Sequence, residues 1–88
     1  MTCDICGREM TLRQRQLAHR IPQTRGKGGN LERHGTAVVH HPFNLASVCS
    51  ESCNSRASIS NHPLEAARTL AKIYEALARE IRERIGEA

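Results

Sequence analysis

Cys3-Asp4-Ile5-Cys6-Gly7, at the start of the chain, and Cys49-Ser50-Glu51-Ser52-Cys53, past its middle, decide how the fold is read. The first is a C-x2-C pair closed by a glycine, which lets the backbone bend so that its amides point at the thiolates. The second is a C-x3-C pair. Residues four apart share one face of a helical turn, so a short helix is expected to open there and to reach about Ser58. The chain has no other cysteine. Two tight pairs separated by 42 residues have the ligand type and number of a closed tetrahedral zinc site, one that leaves no open position for catalysis. Cys3, Cys6, Cys49 and Cys53 are therefore predicted to hold one structural Zn²⁺ per chain, tying the N-terminus to the second pair, so that metal-binding energy becomes folding energy.

Length and composition make such a staple necessary. Eighty-eight residues form one domain at most, and a chain this short buries little apolar surface. Aromatic residues reduce to Phe43 and Tyr74, with no Trp. The four cysteines would suit two disulfides in a secreted protein. However, residues 1–20 contain no apolar run resembling a signal peptide, and no stretch is long enough to span a membrane. A reducing, cytoplasmic location is the expectation, and there paired cysteines read as metal ligands. The formal charge of +4 falls to about +2 once four thiolates surround Zn²⁺, so its distribution matters more than its sum. Arg8, Arg13, Arg15, Arg20, Arg25, Lys27 and Arg33 face only Glu9 and Glu32 across residues 8–34, which makes this the basic segment.

Outward from the cysteines, residues 16–22 (QLAHRIP) read as a short strand stopped by Pro22, and TRGKGGN as a solvent-facing loop. A second short strand is expected over Thr36 to His40, and Phe43 to Val48 leads into the second cysteine pair. From Pro63 the pattern is helical. Pro63 and Glu65 suit a first turn, and nothing interrupts the chain until Gly86. Leu64, Ala67, Leu70, Ile73, Tyr74, Leu77, Ile81 and Ile85 recur at three- and four-residue steps as one apolar stripe. The helix would be roughly 33 Å long. Its stripe has two uses: packing on the zinc module, or pairing with a second copy past Leu77 to give a homodimer. The expected fold is thus a small α+β zinc-stabilised domain, with a short hairpin and helix over 1–62 and a long amphipathic helix over 63–88.

Five histidines are the second enrichment: His19 beside Arg20, His34 in a glycine-flanked loop, His40 and His41 before Pro42-Phe43-Asn44, and His62. Clustered imidazoles bind metals or act as general bases near neutral pH, and both roles suit phosphodiester hydrolysis. Taken singly, each is more often an ordinary polar residue.

The succession C-x2-C-G, AHRIP, a glycine-rich basic loop, FNLASVC and C-x3-C-N resembles the HNH endonucleases, in particular compact phage-type members with AHRI and HHP-x-N-L segments. The resemblance covers residues 3–63 and implies a ββα-metal fold flanked by a four-cysteine zinc knuckle, with metal-dependent cleavage of DNA. His19 matches the general base that takes a proton from water. Asn44 matches the asparagine that fixes the loop and orients that base. The basic loop with Arg25 and Lys27, together with Arg20, would contact the phosphate backbone of DNA without reading sequence. A second divalent ion, Mg²⁺, Mn²⁺ or Ni²⁺, is implied. Two positions depart from the pattern: Ala18 stands where the family commonly has a ligating His or Asp, and Asn54 where it often has His. An asparagine carbonyl still binds a hard cation, and His40, His41 or His62 are substitutes. Two other readings share the fold: a zinc-stabilised nucleic-acid-binding module that has lost the catalytic metal, and an adaptor that presents the C-terminal helix to a protein partner.

Overall fold

The computed structural model describes residues 1–86; the last two residues of the helix expected over 63–88 lie outside the described part. The chain is a small α+β structure built on one two-stranded antiparallel sheet. Strand β1 (Gln16–His19) pairs with β2 (Leu45–Val48), placing Gln16 opposite Val48, Leu17 opposite Ser47, Ala18 opposite Ala46 and His19 opposite Leu45. Between the strands run two short helices, α1 (Asn30–His34) and α2 (Thr36–Val39), and a 3₁₀ turn over Pro42–Asn44. After β2 come α3 (Glu51–Arg56) and the long α4 (Pro63–Arg84).

Alternation along β1 sorts its side chains onto two faces. Ala18 is buried with Ala46 and Val48 in a core that also contains Cys3, Met10, Cys53 and Ala57, and α3 packs against this face. This cluster contains no aromatic ring, and two of its seven buried residues are cysteines. Leu17 and His19 lie on the opposite face, with Leu17 exposed. The N-terminal loop reaches the sheet through a reciprocal pair of bonds: the Asp4 amide donates to the Ser47 carbonyl at 2.8 Å, and the Ser47 amide donates to the Asp4 carboxylate at 2.7 Å.

The strand expected over Thr36 to His40 is instead helix α2. The β-branched pair Val38-Val39 suggests a strand, but β propensity mostly reports a fit to a half-buried sheet surface, and among the described residues the sheet consists of β1 and β2 alone. Gly35, at φ 81°, breaks the chain after α1, and the amides of Val39 and His40 then donate to the carbonyls of Gly35 and Thr36. Val38 and Val39 are buried as one side of this turn. The strand expected over residues 16–22 is shorter, because beyond His19 the Arg20 amide turns to the Asn44 carbonyl at 2.9 Å. The segment 23–28 is exposed as expected, and it closes on itself: Thr24 accepts from the Asn30 amide at 2.7 Å and the Leu31 amide at 3.1 Å, which starts α1.

Helix α4 lies against α2 and the 3₁₀ turn. Ile73 is fully buried, whereas Leu64, Tyr74, Ile81 and Ile85 are exposed, so only the middle of the predicted apolar stripe is core. Among the described residues, no helix is long and apolar enough to cross a membrane.

Candidate zinc centre and histidine site

The four cysteine sulfurs converge. Their ligand atoms lie within 4.8 Å of one another, with Cys6 3.6 Å from Cys49 and Cys49 3.8 Å from Cys53. A disulfide needs a sulfur separation of about 2 Å, so these are not cystines. Thiolates about 2.3 Å from a tetrahedral Zn²⁺ stand about 3.8 Å apart, and the observed spacings are compatible with that ion. Local sequence builds each half. Gly7, at φ 76°, lets its amide return to the Cys3 carbonyl, closing the first loop. Ser50 caps α3 by accepting the Cys53 amide at 3.2 Å, which fixes Cys49 and Cys53 one turn apart.

The electrostatics of the cluster are compatible with a bound cation. Cys3 is lowered to about 6, chiefly because the Cys6 amide points at its sulfur, with the Ile5 and Cys49 amides adding to it. Cys49 is raised to about 11, chiefly by the neighbouring Cys6 sulfur and then by burial. Four crowded thiols cannot all ionise unaided, and a divalent ion removes that conflict. Arg56 adds a feature that the sequence reading missed. Its guanidinium lies 3.2 Å from the Cys53 sulfur and lowers that thiol, so it offsets part of the negative charge of a tetrathiolate site. Its spacing, three residues after Cys53 on one helix, is the only signal that pointed to it.

On the other face of β1, His19 meets His40. Nε2 of His19 is 3.0 Å from Nδ1 of His40, with the rings edge to face at 5.1 Å between centroids. One proton shared between these nitrogens makes a hydrogen bond, while two would repel. Burial, and then the His40 charge, accordingly hold His19 below the ordinary histidine value. Asn44, fully buried, fixes the chain just beyond His19. Its Oδ1 accepts from the Ile21 amide at 2.8 Å, and its Nδ2 donates to the carbonyls of Ile21 at 3.0 Å and Val39 at 2.8 Å. One side chain thus joins the end of β1 to the end of α2, the two segments that carry His19 and His40.

The residues expected to hold a second divalent ion do not gather. Ala18 is in the core on the face away from His19. Asn54 sits on α3, with its amide 3.5 Å from the side-chain oxygen of Gln16. His41 is buried, accepts the Phe43 amide at Nδ1, and faces Glu80 with Nε2 at 3.7 Å. His62 is exposed at the start of α4, and His34 contacts the Tyr74 hydroxyl at 3.1 Å. Among the described residues, no other group of three His, Cys, Asp or Glu side chains converges as the four cysteines do. Arg25 and Lys27 are exposed on their loop, while Arg20 approaches Glu65 at 3.9 Å. Compared with protein-family models, curated proteins and solved structures, the chain has no match.

Proposed function

We propose that the chain is a zinc-stapled module of the HNH endonuclease type that hydrolyses DNA phosphodiester bonds with His19 as general base. The observation that carries this reading is the His19–His40 pair, anchored by Asn44 at the junction of β1 and α2. A base must be neutral at working pH and held in place, and a lowered histidine with a fixed backbone meets both needs. The order β1, β2, α3, with the four-cysteine cluster beside it, further supports this reading. In it, His19 takes the proton of a water that attacks phosphorus, and His40 shares the resulting charge. Among the described residues, no complete site for a second divalent ion is assembled. His40 is the candidate ligand that stands beside the base, and such an ion would neutralise charge on the phosphate and the leaving oxygen.

A specific observation favours a second reading. Ala18 in the core and the Gln16–Asn54 amide pair are what a binding module without a catalytic ion would have at those positions. Nicking of supercoiled plasmid separates the two. Wild type and His19→Ala are compared at equal zinc content with Mg²⁺, Mn²⁺ or Ni²⁺. Metal-dependent nicking that disappears in His19→Ala, with folding intact, supports the hydrolase. Salt-sensitive DNA binding without nicking under any ion supports the binding module.

A further inference from the structure

We infer that Phe43, with Arg20, Arg68 and Lys72, forms a seat for an unpaired DNA nucleotide beside the His19 end of β1. The inference deepens the nucleic-acid reading above and rests on it. Phe43 is the only phenylalanine in a chain whose buried core is made of small and aliphatic residues, yet it stays 57% exposed. It is also held. It is in the middle of the 3₁₀ turn between Pro42 and the fully buried Asn44, its amide is bonded to His41, and the His41 ring stacks edge to face on it at 4.9 Å. An aromatic ring that is fixed and open to solvent loses little freedom when a base stacks on it.

The surroundings fit a phosphate. Phe43 borders a recess of about 360 Å³ lined by Arg20, Glu65, Arg68, Thr69 and Lys72, which brings the 3₁₀ turn and the first turns of α4 together. Three cations and one hydroxyl face one carboxylate. Glu65 engages Arg20 at only 3.9 Å, a long contact between a half-buried guanidinium and an exposed carboxylate that a phosphate can replace. A base needs a π face and its phosphate needs cations, and the recess offers both within one nucleotide's reach. Duplex DNA has its bases stacked internally and offers Phe43 nothing to stack on, so the seat selects unpaired strand, with Arg20 following directly on His19.

The test is fluorescence anisotropy of the zinc-loaded full chain with one labelled oligonucleotide, used as a single strand and as a duplex, with no divalent ion added. The expected result is that Phe43→Ala weakens single-strand binding about tenfold and leaves duplex binding unchanged, while Phe43→Trp restores it. Arg68→Glu with Lys72→Glu should weaken single-strand binding and reduce its salt slope by about 0.7, the share of one phosphate, and Glu65→Gln should tighten it about twofold. Unchanged single-strand affinity in Phe43→Ala overturns the inference, as does equal loss on both probes. Circular dichroism and zinc content identify any variant that fails to fold, in which case Phe43→Leu, which keeps the apolar bulk but removes the π face, decides the outcome. Plasmid nicking by the same preparations is read separately. No nicking by wild type alongside Phe43-dependent single-strand binding overturns the hydrolase reading and leaves the seat standing.

Discussion

His19 and His40, 21 residues apart in sequence, approach to 3.0 Å between ring nitrogens at one end of the sheet. They come from different elements, the last residue of β1 and the residue that ends α2, and Asn44 spans those same two segments.

The pair sets a pH dependence. Burial, followed by the His40 charge, lowers His19, so its neutral form persists to lower pH than in an ordinary histidine. Nicking should therefore be flat above about pH 6.5 and fall only on the acid side of that value. His40→Ala removes the second cause and should move the acid limb toward neutral pH. Stability follows the same sign. A histidine lowered in the folded state destabilises that state as pH falls through its unfolded value toward the folded one. A nicking rate that declines already between pH 7 and 8 would count against His19 as the base.

Removing the metal should remove the fold. Cys53 is buried in the same core as Cys3, Met10, Ala18 and Ala46, so Cys53→Ser or chelation takes away both a ligand and the packing around it. Structural zinc sites contribute on the order of 10 kcal/mol, which is comparable to the whole stability expected of so short a chain. The checks are far-UV circular dichroism with zinc released to a colorimetric chelator. Arg56→Ala should leave the fold and weaken zinc binding about tenfold, because it removes the cation beside the Cys53 sulfur.

Asn44→Ala should cost about 3 kcal/mol or more. Three buried backbone groups, the Ile21 amide and the Ile21 and Val39 carbonyls, lose their partner, and each unsatisfied group costs about 1–3 kcal/mol. Asn44→Asp tests the geometry: a carboxylate accepts from the Ile21 amide but donates to neither carbonyl, so it should rescue little. Urea denaturation with zinc held in excess measures both. A loss under about 1 kcal/mol in Asn44→Ala would contradict its role as the join between β1 and α2.

Ala18→His tests whether the metal ligand that the HNH resemblance would place at this position can be supplied by sequence alone. Ala18 is 1% exposed and opposite Ala46, which is equally buried, so an imidazole there overpacks the core and buries an unpaired nitrogen. The expected outcome is a loss of about 2 kcal/mol or more and no gain in metal-dependent nicking. Recovery of nicking with stability retained would show that the core face of β1 opens to an ion.

Some of this was fixed by local chemistry and was legible in the residues. Cysteine pairs with short spacing can meet in few ways, and the four sulfurs do converge. A 22-residue helix beginning at Pro63 follows from a period that needs no partner to be recognised. The short helix after Cys49 is expected from the four-residue spacing of the cysteines, and the structure adds Ser50 as its cap. What the sequence left open depends on contacts between distant segments. Thr36–Val39 has the side chains of a strand and forms a helix, because the backbone groups there find partners within the turn rather than in a sheet. The proximity of His19 to His40, the placing of Ala18 in the core while its neighbour faces outward, and the open ring of Phe43 beside α4 are set by register and packing. Local propensity acts over a few residues and marks elements and ligands. Which side chains share a site is decided when those elements close on one another, and here that closure is made by the cysteine cluster and the buried amide of Asn44.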